Sequence, residues 1–134
     1  GYNVIFAWDE LRKMAETNLD AARRRLMDIL CNYAGYRKCV PILVFDAYRV
    51  KGAGREQETW HNLHVIYTRE AETADMFIER ATHELAKNHR VRVVSSDGAE
   101  QIIILGNGAL RVSARAFERE VRAVEAEIRE FLDQ

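Results

Sequence analysis

Three apolar runs in this chain end in carboxylates. Ile42-Leu43-Val44-Phe45 runs into Asp46. Leu63 to Tyr67 is followed by Glu70-Ala71-Glu72-Thr73-Ala74-Asp75, three acids in six residues. Val91 to Ser96 runs into Asp97. Gathered carboxylates raise one another's pKa unless a cation neutralises them. Such hard oxygen donors suit Mg2+ or Mn2+, and those ions assist the hydrolysis of phosphate esters. A plainer reading stands beside this one. Unpaired N–H groups and the macrodipole favour negative charge at a helix start, so each acid also reads as a cap.

For the acids to meet, the runs that carry them must lie side by side. Consecutive apolar, β-rich residues suit parallel strands buried on both faces, and helical patterns alternate with them. Asn18 is placed to cap a helix whose face is Leu19, Ala22, Leu26, Ile29, Leu30 and Tyr33, with Gly35 expected to end it. A second helix is predicted from about Glu72 to Lys87, burying Ala74, Phe77, Ile78, Ala81 and Leu85. Ser113 is placed to cap a third, striped with Phe117, Val121, Val124, Ile128 and Leu132. Gly1 to Trp8 reads as a turn into a short apolar segment, and the residues from Trp8 to Met14 as a helical turn. Gln101 to Leu105 reads as helical, and Val112 as part of an edge strand. The pattern predicts an α/β fold with helices on both faces of a parallel sheet. Right-handed crossovers then bring every strand's C-terminal end, and with it Asp46, the Glu70–Asp75 group and Asp97, to one edge, where such sheets bind ligands.

Between Asp46 and the second strand, Ala47 to Trp60 reads as a long loop, a length that tends to be functional. Arg49, Lys51 and Arg55 are suited to phosphates, Gly52 and Gly54 to close backbone approach, and Tyr48 and Trp60 to stacking on bases. An ordinary solvated loop would have the same composition. Gly52-Ala53-Gly54 is no phosphate-binding P-loop, since no Gly-Lys-Ser/Thr follows. Ser95 and Ser96 lack a nucleophile elbow and a placed His. His61 and His64, three apart, fall on opposite faces of a strand. His83 and His89 suit a helix C-terminus, and Arg23-Arg24-Arg25 reads as a wet helix face.

The bulk numbers set limits. The chain has 134 residues, 48% hydrophobic and 31% charged, with net charge −1. That is enough for one domain with one core, and no global basic field draws it to nucleic acid, so RNA contact must be local. Cys31 and Cys39 lie at no zinc-ligand spacing, and reduced thiols in a cytosolic-type compartment are expected. No leader or membrane-length apolar run is visible.

Together Gly1-Tyr2-Asn3-Val4-Ile5, Val44-Phe45-Asp46-Ala47-Tyr48-Arg49, Glu70-Ala71-Glu72-Thr73-Ala74-Asp75 and Ser95-Ser96-Asp97-Gly98 resemble the motifs of the NYN domain, of the PIN-like nuclease superfamily. The match is nearest to the bacterial and plastid YacP-type proteins, which include ribosome-associated endoribonucleases, and it spans Gly1 to about Arg129. The resemblance implies a PIN-like three-layer α/β/α fold with a mostly parallel sheet, and metal-dependent cleavage of single-stranded RNA. It makes Asp46, Asp75 and Asp97 the catalytic, metal-binding acids, with Glu72 a neighbouring carboxylate and Asn3 beside the site. It implies Mg2+ or Mn2+ as the cofactor and no small organic one. The implied partners are mRNA and the ribosome, with no membrane, in the cytoplasm or a plastid stroma. The family motif is Asp-Gly-Tyr-Asn, so a first central strand and its Asp are expected upstream of Gly1, and 1–134 reads as one NYN domain truncated there. That absent Asp and the basic loop motivate an alternative, a non-catalytic RNA- or ribosome-binding module of the same fold. A phosphatase-like or nucleotide-binding enzyme is a third class, with little in its favour.

Overall fold

The computed structural model describes residues 1–46, 56–69, 71–95, 103–104 and 108–134. Its elements, in chain order, are α1 (Tyr2–Ala7), α2 (Asp9–Thr17), α3 (Leu19–Arg37), β1 (Ile42–Phe45), β2 (Glu56–Trp60), β3 (Leu63–Tyr67), α4 (Ala74–Leu85), β4 (Arg92–Ser95), β5 (Ile103–Ile104), β6 (Leu110–Ser113) and α5 (Ala114–Leu132).

The strands form two three-stranded sheets, ordered β1-β3-β2 and β4-β6-β5. Each has one parallel pair, β1 with β3 or β4 with β6, and one antiparallel pair that adds β2 or β5. In the first sheet Leu43 pairs with Val65 and Phe45 with Tyr67. Period-two alternation puts these side chains on one face and Val44 with Ile66 on the other. Leu43, Phe45, Leu63 and Val65 join the main core with residues of α1, α2, α3 and α5. Helix α4 meets β1, and Val44 and Phe77 are buried outside that main cluster. Helices thus flank the first sheet on both faces, in a PIN-like α/β arrangement.

The caps explain several boundaries. Asn18 Oδ1 accepts from Ala21 N at 3.1 Å, and Ser113 Oγ accepts from Ala116 N at 3.1 Å, as the sequence predicts. Gly35 does not end α3. The helix runs through it, and Lys38 takes the left-handed conformation at φ 55°.

Four further expectations are corrected. The Gly1–Trp8 stretch holds the helix Tyr2–Ala7 rather than a turn, because Tyr2, Val4, Ile5 and Trp8 are all buried against the core. Tyr2 packs on Phe45 with ring centroids 5.0 Å apart. Trp8 is fully buried and donates from Nε1 to Ala114 O at 2.8 Å. Residues 56–60 are a strand rather than loop, held by pairing with β3 rather than by any apolar pattern. Ile103–Ile104 is a strand, not a helix, and pairs with β6. That pairing makes β6, which contains Val112, the middle strand of its sheet rather than an edge.

Arg23, Arg24 and Arg25 are not a free basic face. Arg23 bonds Tyr2 Oη and Asp20, Arg24 pairs with Asp20, and Arg25 reaches Glu10 on α2. Along α5, Arg122 pairs with Glu10 and Glu125 at 2.8 Å each and lies 4.0 Å from Glu118.

Candidate active site

The parallel pair β1–β3 delivers two chain ends to one edge. Beyond Tyr67 the chain is tied to the end of β1 by Thr68 N donating to Phe45 O at 3.0 Å, and Thr68 is fully buried. A turn follows in which Glu72 N donates to Arg69 O at 2.9 Å. Thr73 then caps α4, its Oγ1 accepting from Met76 N at 3.1 Å.

Asp46, the first residue after β1, is half-buried and accepts from Ala74 N through Oδ1 at 2.6 Å. A carboxylate on the first turn of a helix takes an unpaired N–H and meets the positive end of the macrodipole. The cap reading of Asp46 is therefore correct, and the same contact brings Asp46 to the Glu72–Asp75 segment. Asp75 lies in the first turn of α4 and is exposed. The Gly1 nitrogen donates to Val44 O at 2.6 Å, which ties the start of α1 to β1 two residues before Asp46. Asn3 is exposed in the first turn of α1.

Glu72 lies in the turn that leads into α4, three residues before Asp75. Its side chain is 13% exposed, and Oε2 lies 2.7 Å from Arg80 on α4. Its Oε1 is buried with no hydrogen-bond partner among the described residues. A buried carboxylate oxygen without a donor is costly, of order 1–3 kcal/mol or more, so a cation there has something to neutralise. This orphaned oxygen and the hard-donor chemistry of Asp46 and Asp75 fit a divalent ion. Among the described residues, no group of three His, Cys, Asp or Glu is close enough to hold one. Asp97 and Glu70 lie outside the described residues, as do Tyr48, Arg49, Lys51 and Arg55 of the basic loop.

Trp60 is placed elsewhere. It pairs with Leu63, at the start of β3, whereas Tyr67 at the other end pairs with Phe45 next to Asp46. Four residues of strand, roughly 13 Å, separate the two ends. Trp60 is 39% exposed, stacks edge-on against His61, and its carbonyl accepts from Cys31 Sγ at 3.3 Å. Ser95 Oγ accepts from Arg111 Nε at 3.0 Å. The Glu72–Arg80 pair carries no sequence signal, because eight positions lie beyond the i,i+4 rule that flags helical ion pairs.

Comparison with known proteins adds the family. A family profile described as "YacP-like NYN domain" matches residues 1–134. The protein YacP of Bacillus subtilis (strain 168) is 41% identical over 129 residues, which cover 96% of this chain and 75% of that protein. A crystal structure of Rae1 (YacP) from Bacillus subtilis superposes with a TM-score of 0.81 at 38% identity, covering 98% of this chain and 76% of that one. A tryptophan-to-leucine variant of the same protein gives a TM-score of 0.79 at 37% identity. A match over the whole of residues 1–134, upheld in sequence and in fold, means that the chain belongs to the YacP-like NYN family of PIN-like, RNA-related nucleases.

Proposed function

We propose that this protein is a divalent-metal-dependent endoribonuclease that cleaves single-stranded RNA, mRNA in particular, in association with the ribosome in the cytoplasm or a plastid stroma. The observation that carries the reading is the Asp46–Ala74 contact, which sets one strand-end acid against the segment bearing Glu72 and Asp75 in a chain of a nuclease family. Residues 1–134 would act as a single NYN domain.

Asp46, Asp75, Asp97 and Glu72 would hold Mg2+ or Mn2+. When bound, such an ion supplies Lewis acidity and neutralises charge on the phosphodiester. The chain's own part is positional. Ala74 N fixes Asp46 Oδ1, and Oδ2 would turn toward the ion. The start of α4 holds Asp75 in the solvent where a strand of RNA can reach it. Asn3 at the start of α1 would offer an amide to the RNA, and Tyr48, Arg49, Lys51 and Arg55 would line its path. Trp60 would meet RNA only beyond the catalytic edge, because it sits at the other end of the sheet.

The experiment is cleavage of single-stranded RNA with Mg2+ or Mn2+, alone and with ribosomes, by the wild type and Asp75→Asn. Metal-dependent cleavage lost in the variant supports the reading. Retained cleavage removes Asp75 from the site. RNA binding without cleavage in the wild type selects the non-catalytic module instead.

A further inference from the structure

Acidic sites that act on a polyanion need a cation nearby to hold it. Among the described residues, Arg80 is the cation placed against this one. Its guanidinium lies 2.7 Å from Glu72 Oε2 and 5.6 Å from the centroid of the Phe77 ring, while its side chain remains 60% exposed. The carboxylate meets one terminal nitrogen and the ring lies beneath the group. Arginine carries five N–H donors in a planar fork suited to phosphate oxygens. The remaining donors belong to a side chain that is 60% exposed. Surface ion pairs usually contribute little to stability, so two supports for one exposed guanidinium are better explained by orientation. A side chain already held in place loses less rotamer freedom on binding.

We propose that Arg80 grips a backbone phosphate of the RNA strand beside the acidic site, with Glu72 and Phe77 holding its guanidinium in position. The inference rests on the RNA-cleaving reading above and adds a phosphate contact on α4. Arg80 pairs with Glu72, three residues before Asp75, so a phosphate held by Arg80 would lie beside the segment that carries Asp75.

The test uses binding of a single-stranded RNA oligonucleotide in EDTA across a salt series, with the wild type, Arg80→Ala, Arg80→Lys and Arg129→Ala. Each phosphate neutralised in a single strand contributes about 0.7 to the slope of log K against log salt. Arg80→Ala is expected to lower that slope by about 0.7 and to raise Kd about tenfold. Arg80→Lys keeps the slope because it keeps the charge, but it weakens binding because the fork is lost. Arg129→Ala, an exposed residue of α5, leaves both unchanged. In cleavage assays Arg80→Ala raises KM with little change in kcat. A wild type that binds RNA while both Arg80 variants keep its slope and Kd overturns the phosphate contact and leaves the nuclease reading standing. A folded wild type that neither binds nor cleaves RNA overturns the nuclease reading, and the phosphate contact with it. A melting temperature of Arg80→Ala close to that of the wild type separates a lost phosphate contact from lost folding, and a slope lost in Ala and kept in Lys assigns the effect to the charge.

Discussion

The molecule sets carboxylates in two places, and the two are built on opposite principles. On one flank Glu120 of α5 is fully engaged. Arg92 of β4 meets it in a two-pronged contact at 2.6 and 3.1 Å, and Tyr33 of α3 donates to it at 2.9 Å. Three elements meet in one neutral unit. At the strand ends, Asp46 has one helix N–H, Asp75 stands in solvent, and Glu72 keeps a buried oxygen without a donor among the described residues. The first cluster spends its charge internally and binds the fold together. The second leaves negative charge over, which is how a site for an external cation differs from a structural ion pair.

The largest effect that separates them should come from charge removal at the strand ends. Asp46→Asn and Asp75→Asn should each lower metal-dependent RNA cleavage at least a hundredfold, about 3 kcal/mol in the barrier, with melting temperatures near that of the wild type. Cleavage within a few-fold of wild type in both would erase the contrast. Next comes Glu120→Ala, which strands Arg92 and Tyr33. It should cost about 1–2 kcal/mol in denaturant unfolding, discounted for the partial exposure of the group. Cleavage per folded molecule should not change.

The same cluster predicts a pH signature. The hydrogen bond from Arg92 holds Glu120 below the usual carboxylate range. A depressed carboxylate stabilises the fold above its unfolded pKa, and that stability is lost as pH falls through the folded value. Glu120→Gln should therefore flatten the acid limb of the stability profile by about 1 kcal/mol below roughly pH 5. An unchanged limb would mean that the cluster is solvated. The smallest effect sharpens the dual role of Asp46. Asp46→Ala should be about 0.5–1 kcal/mol less stable than Asp46→Asn, because only Asn keeps an acceptor for Ala74 N. Equal stabilities would reduce that contact to proximity.

Much of this was legible in the sequence, for local reasons. Asn18 and Ser113 announce their helices because a short polar side chain before an apolar stripe has a specific N–H to accept from. β1 and β3 show as apolar runs because both faces are covered. The strand-end rule by itself brings Asp46 to the Glu72–Asp75 segment, where Ala74 N meets it. What escaped depends on partners distant in sequence. Helix α1 is six residues rich in aromatic and β-branched types, and it is stabilised by the core rather than by propensity. β2 opens Glu-Gln-Glu-Thr and is a strand only because β3 offers it a ladder. Its hairpin turn places His61 at φ 56° without the glycine that would advertise it. Lys38 likewise takes the left-handed position that Gly35 was expected to fill. The Arg80–Glu72 pair escaped because its spacing matches no local rule.

The contact between Asp46 and Ala74 has one more consequence. It makes the free energy of the first turn of α4 depend on what else draws upon Asp46. A ligand that binds the folded chain through that carboxylate is thermodynamically linked to folding, by RT ln(1 + [L]/Kd). The fold therefore has no single intrinsic stability at this end, and its melting temperature becomes a gauge of the free concentration of whatever Asp46 binds.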